Sequence, residues 1–207
     1  MNSRIALIAV LGILAALAVG CTSPPSHMYT LSRSTPNSPS SAQEPAASAT
    51  GTSNLYVIVG PVSIPAMVDL PQMVIRTGPN QVSIEEFNRW AEPLQSNISR
   101  VVADELVILL ATPRVGMFQQ SQNADADYRV SIDVQTFESA PGDAATLSAL
   151  WTVRRTKDAK TRVGRTTVRE PTPNQSYQAI AAAHSRAIGQ LSQDIADAIR
   201  ELERAGS

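Results

Sequence analysis

The sequence predicts an α+β protein: an antiparallel β-sheet with two long helices packed on one face. Two long stretches repeat apolar side chains at helical spacing, residues 92–111 and 176–204. A hairpin pattern precedes the first, and several period-two segments lie between them. Strands and helices that come in separate runs, rather than in strict alternation, belong to sheets with their helices segregated to one side.

The folded part starts at "LYVIVGPVSIP", where Leu55–Val62 is a β-rich run suited to a strand buried on both faces. "MVIRTGPNQVSI" follows, two β segments around Gly78-Pro79-Asn80, where Pro presets φ and Asn tolerates the left-handed region. Leu94, Ile98, Val101, Val102, Leu106 and Leu109 then share one helical face, so a helix is expected over Glu92–Ala111, with Pro93 in its first turn and Pro113 beyond its end. "RVGMF" is a short strand. "DYRVSIDVQTFES" and "ATLSALWTVRRT" alternate, with Tyr128, Val130, Ile132 and Val134 on one face of the first and Ala145, Leu147, Ala149, Trp151 and Val153 on one face of the second. "RVGRTTVRE" extends the series, and turn residues between the segments imply an antiparallel meander. Residues 176–204 carry Tyr177, Ile180, His184, Ile188, Leu191, Ile195, Ile199 and Leu202 on one stripe, the strongest helix signal in the chain.

Upstream of the domain the chemistry changes. Arg4 precedes an uncharged run, Ile5–Val19, that is shorter than a membrane span and ends in small residues, so residues 1–20 read as a secretory signal. The one cysteine, Cys21, follows Gly20, an arrangement similar to a bacterial lipobox, in which the Cys becomes the acylated first residue. Several acyl chains at one terminus anchor stably. Thr22 stands where inner-membrane retention in enterobacterial-type sorting uses Asp, which points to the outer membrane. Residues 32–54 are rich in Ser, Pro, Ala and Thr and bury too little to offset ordering entropy. By composition, 22–54 is a tether with a reach of roughly 30 Å. "HMYTL", residues 27–31, interrupts it as either a chance apolar spot or a short docked strand. The expected organisation is a lipoprotein signal over 1–20, a lipidated N-terminal region over 21–54 with a possible strand at 28–31, and a single α+β domain over 55–207.

Composition excludes several classes of function. The chain holds 17 Lys and Arg against 18 Asp and Glu. Loss of Arg4 with the signal leaves a formal charge of about −2, which makes nucleic acid an unsuitable partner. With Cys21 acylated, no disulfide and no Cys-based zinc site can form. His184 lies on an apolar stripe and His27 beside the anchor, and no GxSxG, P-loop or HExxH occurs. No catalytic, cofactor or metal site is expected. Arg154, Arg155, Arg162, Arg165 and Arg169 form a basic stretch that suits either anionic head groups or an acidic partner face, or else merely blunts a sheet edge.

Residues 60–94 remain distinctive. Ile64, Pro65, Met67, Val68 and Leu70 make the 63–72 loop unusually apolar for a connection, and Trp90 sits in "RWAEPL" ahead of a helix. Such a loop is either packed under the sheet or offered to a partner, and Trp90 either packs the sheet–helix junction or joins that contact.

These residues carry a resemblance to the PqiC-type family, the ABC-type transport auxiliary lipoproteins. It rests on Cys21, "YxL" at Tyr29–Leu31, "V-x-I-P" at Val62–Pro65, "D-x-P-Q-x-V-x-R" ending at Arg76, and "R-W-A-E-P-L" at Arg89–Leu94. The chain departs from the pattern at Met28, at Met67-Val68 and in the lipobox. The resemblance implies an outer-membrane lipoprotein facing the periplasm, held to outer-membrane lipid by its acyl chains. Its partners would be a mammalian-cell-entry (MCE) domain protein and an inner-membrane permease or PqiA-like component. It further implies a homo-oligomeric ring docking on the MCE tunnel, in lipid transport or envelope integrity, with residues 28–31 as an outer strand. The alternative is a structural envelope lipoprotein, or an assembly factor that binds a client strand at its sheet edge.

Overall fold

The computed structural model describes residues 24–34, 53–118 and 125–205. The signal segment, Cys21 and the Ser/Pro-rich residues 35–52 lie outside them. The elements in chain order are β1 (His27–Tyr29), β2 (Val57–Ser63), β3 (Gln72–Gly78), β4 (Gln81–Trp90), α1 (Leu94–Leu109), β5 (Val115–Met117), β6 (Tyr128–Ala140), β7 (Ala144–Arg155), β8 (Thr161–Pro171) and α2 (Tyr177–Arg204). The strands form a three-stranded sheet, β1-β4-β3, and a five-stranded sheet, β5-β2-β6-β7-β8.

The α+β class and the β6-β7-β8 meander follow the sequence pattern, since both connections are short and both pairs are antiparallel. The sheets are nevertheless mixed. β2 lies parallel to β5 on one side and to β6 on the other. Parallel neighbours need a long crossover, and the β3–β4 hairpin together with α1 supplies it. Val57, Ile58 and Val59 are accordingly fully buried, as a strand between two neighbours requires. Gly60 sits at φ +115, and a Cβ there would meet Phe118 Cβ at 2.9 Å, so the irregularity in β2 needs glycine.

Both helices lie against the five-stranded sheet and against each other, α1 over β2 and β5, α2 over β6, β7 and β8. The helix α1 is shorter than the expected Glu92–Ala111 because Pro93 is its N-cap and Ala111, at φ 49, closes it. There Ala111 N donates to Ile108 O and Thr112 N to Val107 O, the paired bonds of a left-handed C-cap. At the start of α2, Ser176 Oγ accepts from Ala179 N at 3.2 Å. Its stripe, from Ile180 through Leu202, enters the same core as Val101 and Leu106 of α1 and Val130 and Leu147 of the sheet. An aromatic chain ties the small sheet to that core. Trp90 meets Phe137 edge-on at 6.1 Å between centroids, and Phe137 stacks on His184 at 3.7 Å.

On β7 and β8, Trp151 pairs with Gly164, and the indole lies over the glycine. A Cβ at 164 would stand 2.2 Å from Trp151 Cζ2. Gly164→Ala therefore displaces the ring and breaks the Trp151 Nε1 to Thr166 Oγ1 bond of 3.0 Å. The expected loss is about 1–3 kcal/mol, read by denaturant unfolding. Unchanged stability would mean the ring swings aside freely.

Candidate docking site

The 63–72 loop is a tight turn with one exposed large hydrophobic side chain, Met67. Val68 N donates to Pro65 O at 3.0 Å and Asp69 N to Ala66 O at 3.3 Å. That geometry drives Val68 inward, to 4% exposure, and lifts Met67 outward, to 52%. Ile64 and Leu70 are half-buried against the core, and Pro65 is half-buried beside them. Trp90 is 6% exposed, its backbone N–H donating to Pro71 O at 2.7 Å. Of the six residues expected to offer a contact, Val68 and Trp90 are therefore core. The turn and the edge-on contact with Phe137 hold them there, and Met67 is the large side chain presented.

Met67 does not stand alone. With Val68, Val74, Val82 and Phe137 it lines a cleft of about 270 Å³ at the tip of the β3–β4 hairpin. Cross-strand pairs Val74–Ile84 and Arg76–Val82 carry the surface along β4, where Val82 and Ile84 are exposed. Between the pairs Gln72–Arg89 and Met73–Glu85, β4 holds Glu86, Phe87 and Asn88 with no residue of β3 opposite them. This bulge shifts the pleat, so Asn88 and Trp90 face inward while Phe87 and Arg89 face out with Val82 and Ile84. β1 adds Met28, in register with Arg89. Five of the seven exposed large apolar side chains among the described residues thus sit on or beside the outer face of the small sheet: Met28, Met67, Val82, Ile84 and Phe87. Sequence reading located Met67 but not the strand residues, whose phase depends on the bulge.

The second constructed feature holds the N-terminal segment. After β1 the chain runs between the helices, and Leu31 is buried to 1% exposure. Leu31 N donates to Asn97 Oδ1 at 3.0 Å, Ser32 N to Ser185 Oγ at 3.1 Å, and Ser34 N to Glu105 Oε1 at 2.7 Å. Asn97 Nδ2 donates to Thr30 Oγ1 at 2.9 Å, and Arg100 Nη2 to Leu31 O at 3.3 Å. Gly189 brings Ser34 within 3.0 Å of where a Cβ would lie. Each helix therefore contributes buried or half-buried polar groups that bind this strap. A signal was present: Asn97 and Glu105 interrupt the apolar face of α1 at positions that are buried.

The basic stretch is dispersed. Arg155 is 2% exposed and gives a two-pronged contact to Asp158, Nε at 2.9 Å and Nη2 at 2.6 Å, which holds the Asp158 carboxyl well below its usual range. Burial, then the hydrogen bond to Glu203, pushes the neighbouring Tyr128 phenol up. Arg162 reaches Glu201 of α2 at 3.6 Å, and Arg169 pairs with Asp143. Arg154 and Arg165 remain exposed on the outer face of the large sheet. Burial lowers His184 from 6.5 to about 3, so it is neutral, sharing a 2.9 Å bond with Ser139 Oγ while Nδ1 has no partner among the described residues. No three His, Cys, Asp or Glu residues among the described ones come together as a metal-binding group, and no described helix is long and apolar enough to cross a membrane.

Comparison with known proteins adds the family. A crystal structure of an uncharacterised protein aligns at a TM-score of 0.66 with 18% identity, covering 85% of this chain and 99% of its own. A Xanthomonas campestris protein aligns at 0.64 with 22% identity, covering 87% and 100%. Both likenesses establish the fold. No curated protein matches the sequence. The sequence profile of the ABC-type transport auxiliary lipoprotein component matches residues 29–196, from the strap's entry at Tyr29 to the last turns of α2. The chain belongs to the family of ABC-type transport auxiliary lipoprotein components.

Proposed function

We propose that this lipoprotein is a non-catalytic docking component at the outer membrane. It is acylated at Cys21, faces the periplasm, and serves an MCE-type system for intermembrane lipid transport or envelope integrity. Its copies form a homo-oligomeric ring that meets the MCE-domain protein, which is in turn tied to an inner-membrane permease or PqiA-like component. The observation that carries this reading is the family match beginning at Tyr29, eight residues after Cys21. On this reading five residues separate the anchor at Cys21 from β1, so the chain would join a membrane to a packed domain.

The ring or partner contact is assigned to Met67, with Ile64, Pro65 and Leu70 shaping the loop beneath it. Met67→Ser alters an exposed side chain, so melting should shift by no more than about 0.5 kcal/mol equivalent while copurification of the MCE-domain protein or ring assembly falls. Intact assembly would remove the loop from the contact. In parallel, Cys21→Ser should leave the protein in the soluble fraction or as an unprocessed precursor; processed, membrane-bound protein would refute acylation. The alternative, client-strand addition, needs an open edge. The large sheet ends in β5 on one side and β8 on the other; Arg162, Arg165 and Arg169 line β8 with cations, which disfavours strand addition at that edge.

A further inference from the structure

The strap removes most of the tether that composition suggests. Five residues, 22–26, separate Cys21 from β1. Even fully extended they place His27 within about 20 Å of Cys21, whereas a domain of this size is about 40 Å across. A domain held by a leash shorter than its own diameter cannot turn freely. One side must face the surface where the acyl chains sit, and that side is the β1 edge of the small sheet.

What stands there has the chemistry of an interfacial contact. Met28 on β1 is 60% exposed and in register with Arg89 of β4. Phe87, 39% exposed, lies two residues from Arg89 within the bulge and on the same side of the pleat. Arg89 makes no ion pair among the described residues, and its Nε is shielded without a hydrogen-bond partner. The nearby carboxylates divide: Glu85 is half-buried and hydrogen-bonded to Tyr177, and Glu86 is exposed at the bulge. Arg76, farther along the sheet, already pairs with Glu138. Two apolar side chains beside an uncommitted guanidinium match a phospholipid surface, with acyl boundary for the first and phosphate for the second.

We infer that the outer face of the β1–β4 pair, where Met28 and Phe87 flank Arg89, rests on the phospholipid surface that holds the anchor. The inference rests on the acylation of Cys21 proposed above. It gives the domain a fixed pose: the β1 edge is down, the Met67 cleft lies at the far end of the hairpin, and the β8 edge is turned away. Contact apolar area adds to acyl anchoring, as for other interfacial segments.

The test uses the mature chain on vesicles of phosphatidylethanolamine and phosphatidylglycerol with brominated acyl chains. Three variants, Met28→Trp, Phe87→Trp and Val163→Trp, each add one emitter at an exposed position over the shared background of Trp90 and Trp151. A residue 5–10 Å into the headgroup boundary should lose about half of its added emission. The expected result is quenching at 28 and 87 and none at 163, where Val163 on β8 is 69% exposed. Glutamate at both positions, Met28→Glu with Phe87→Glu, should restore an open pose without changing melting. Flotation of the same vesicles reads the anchor separately. Where the native chain fails to float, Cys21 is joined to a maleimide phospholipid and the quenching repeated, so loss of acylation and loss of the pose are different results. Equal quenching at 28, 87 and 163 on anchored protein overturns the inference. Protection of 28 and 87 from aqueous acrylamide without lipid quenching gives the face to a second copy and also overturns it.

Discussion

Leu31→Ala is expected to cost about 2–5 kcal/mol of folding stability, the range for truncating a buried leucine, although residue 31 lies in a segment whose composition suggests a linker. At roughly 2–4 °C per kcal/mol for a domain of this size, melting should fall by several degrees to well over ten. The cause is twofold. Leu31 fills space between the helices at 1% exposure, and its amide is fixed on Asn97, itself fully buried. Asn97→Leu tests the polar half alone. It keeps the volume near α1 but strands the Leu31 N–H and the Thr30 hydroxyl contact, an expected loss of about 1–3 kcal/mol. Hydrogen exchange separates local from global effects. In Asn97→Leu the Leu31 and Ser32 amides should exchange far faster while those of β6 and β7 change little. Unaltered melting in Leu31→Ala would show that the strap does not belong to the cooperative unit.

The second large effect is a dependence on pH. His184 is buried, and its burial lowers it from 6.5 to about 3. Between those values the unfolded chain binds a proton that the folded chain does not, so stability is complete above about pH 6.5 and falls as pH drops toward 3. The slope is about 1.4 kcal/mol per pH unit. His184→Gln, which retains a polar atom for Ser139, should lower stability at pH 7 and flatten the decline between pH 6 and 4. The Asp158 and Asp197 carboxyls, both held below their usual range by arginine and amide hydrogen bonds, lose their contribution as pH falls through the unfolded value of 3.8, so they overlap only the acid end of this window and the comparison is read in its upper part. An equal slope in wild type and variant would place the acid sensitivity elsewhere.

Much of this architecture can be read from periodicity. The α2 stripe, the alternation in β6 and β7, and the turn at Pro79-Asn80 all depend on local spacing, and each forms as that spacing dictates. What could not be read depends on partners distant in sequence. Val57–Val59 is apolar on both faces whether its neighbours run parallel or antiparallel, so the pairing with β5 and β6 left no local trace. The strap is held by Asn97, Glu105 and Ser185; the first two interrupt the apolar face of α1, but what they bind is evident only once Leu31 is placed among them. At the candidate site, the loop's apolar character was legible. Which of its side chains emerges was not, because the turn bonds from Val68 to Pro65 and from Asp69 to Ala66 decide it.

The strap also sets how the protein bears load. A pull between the N-terminus and the domain runs along β1, whose bonds to β4 lie side by side and share tension as shear, and then reaches the wedge at Leu31. These contacts pass the load into β4 and the two helices, and the force they tolerate is governed by the rate of local opening. Once they yield, the chain from residue 22 to residue 52 becomes slack, and the leash grows from about 20 Å to roughly 100 Å of contour. A rising load on the N-terminus would then extend a reserve of chain before it tore the fold.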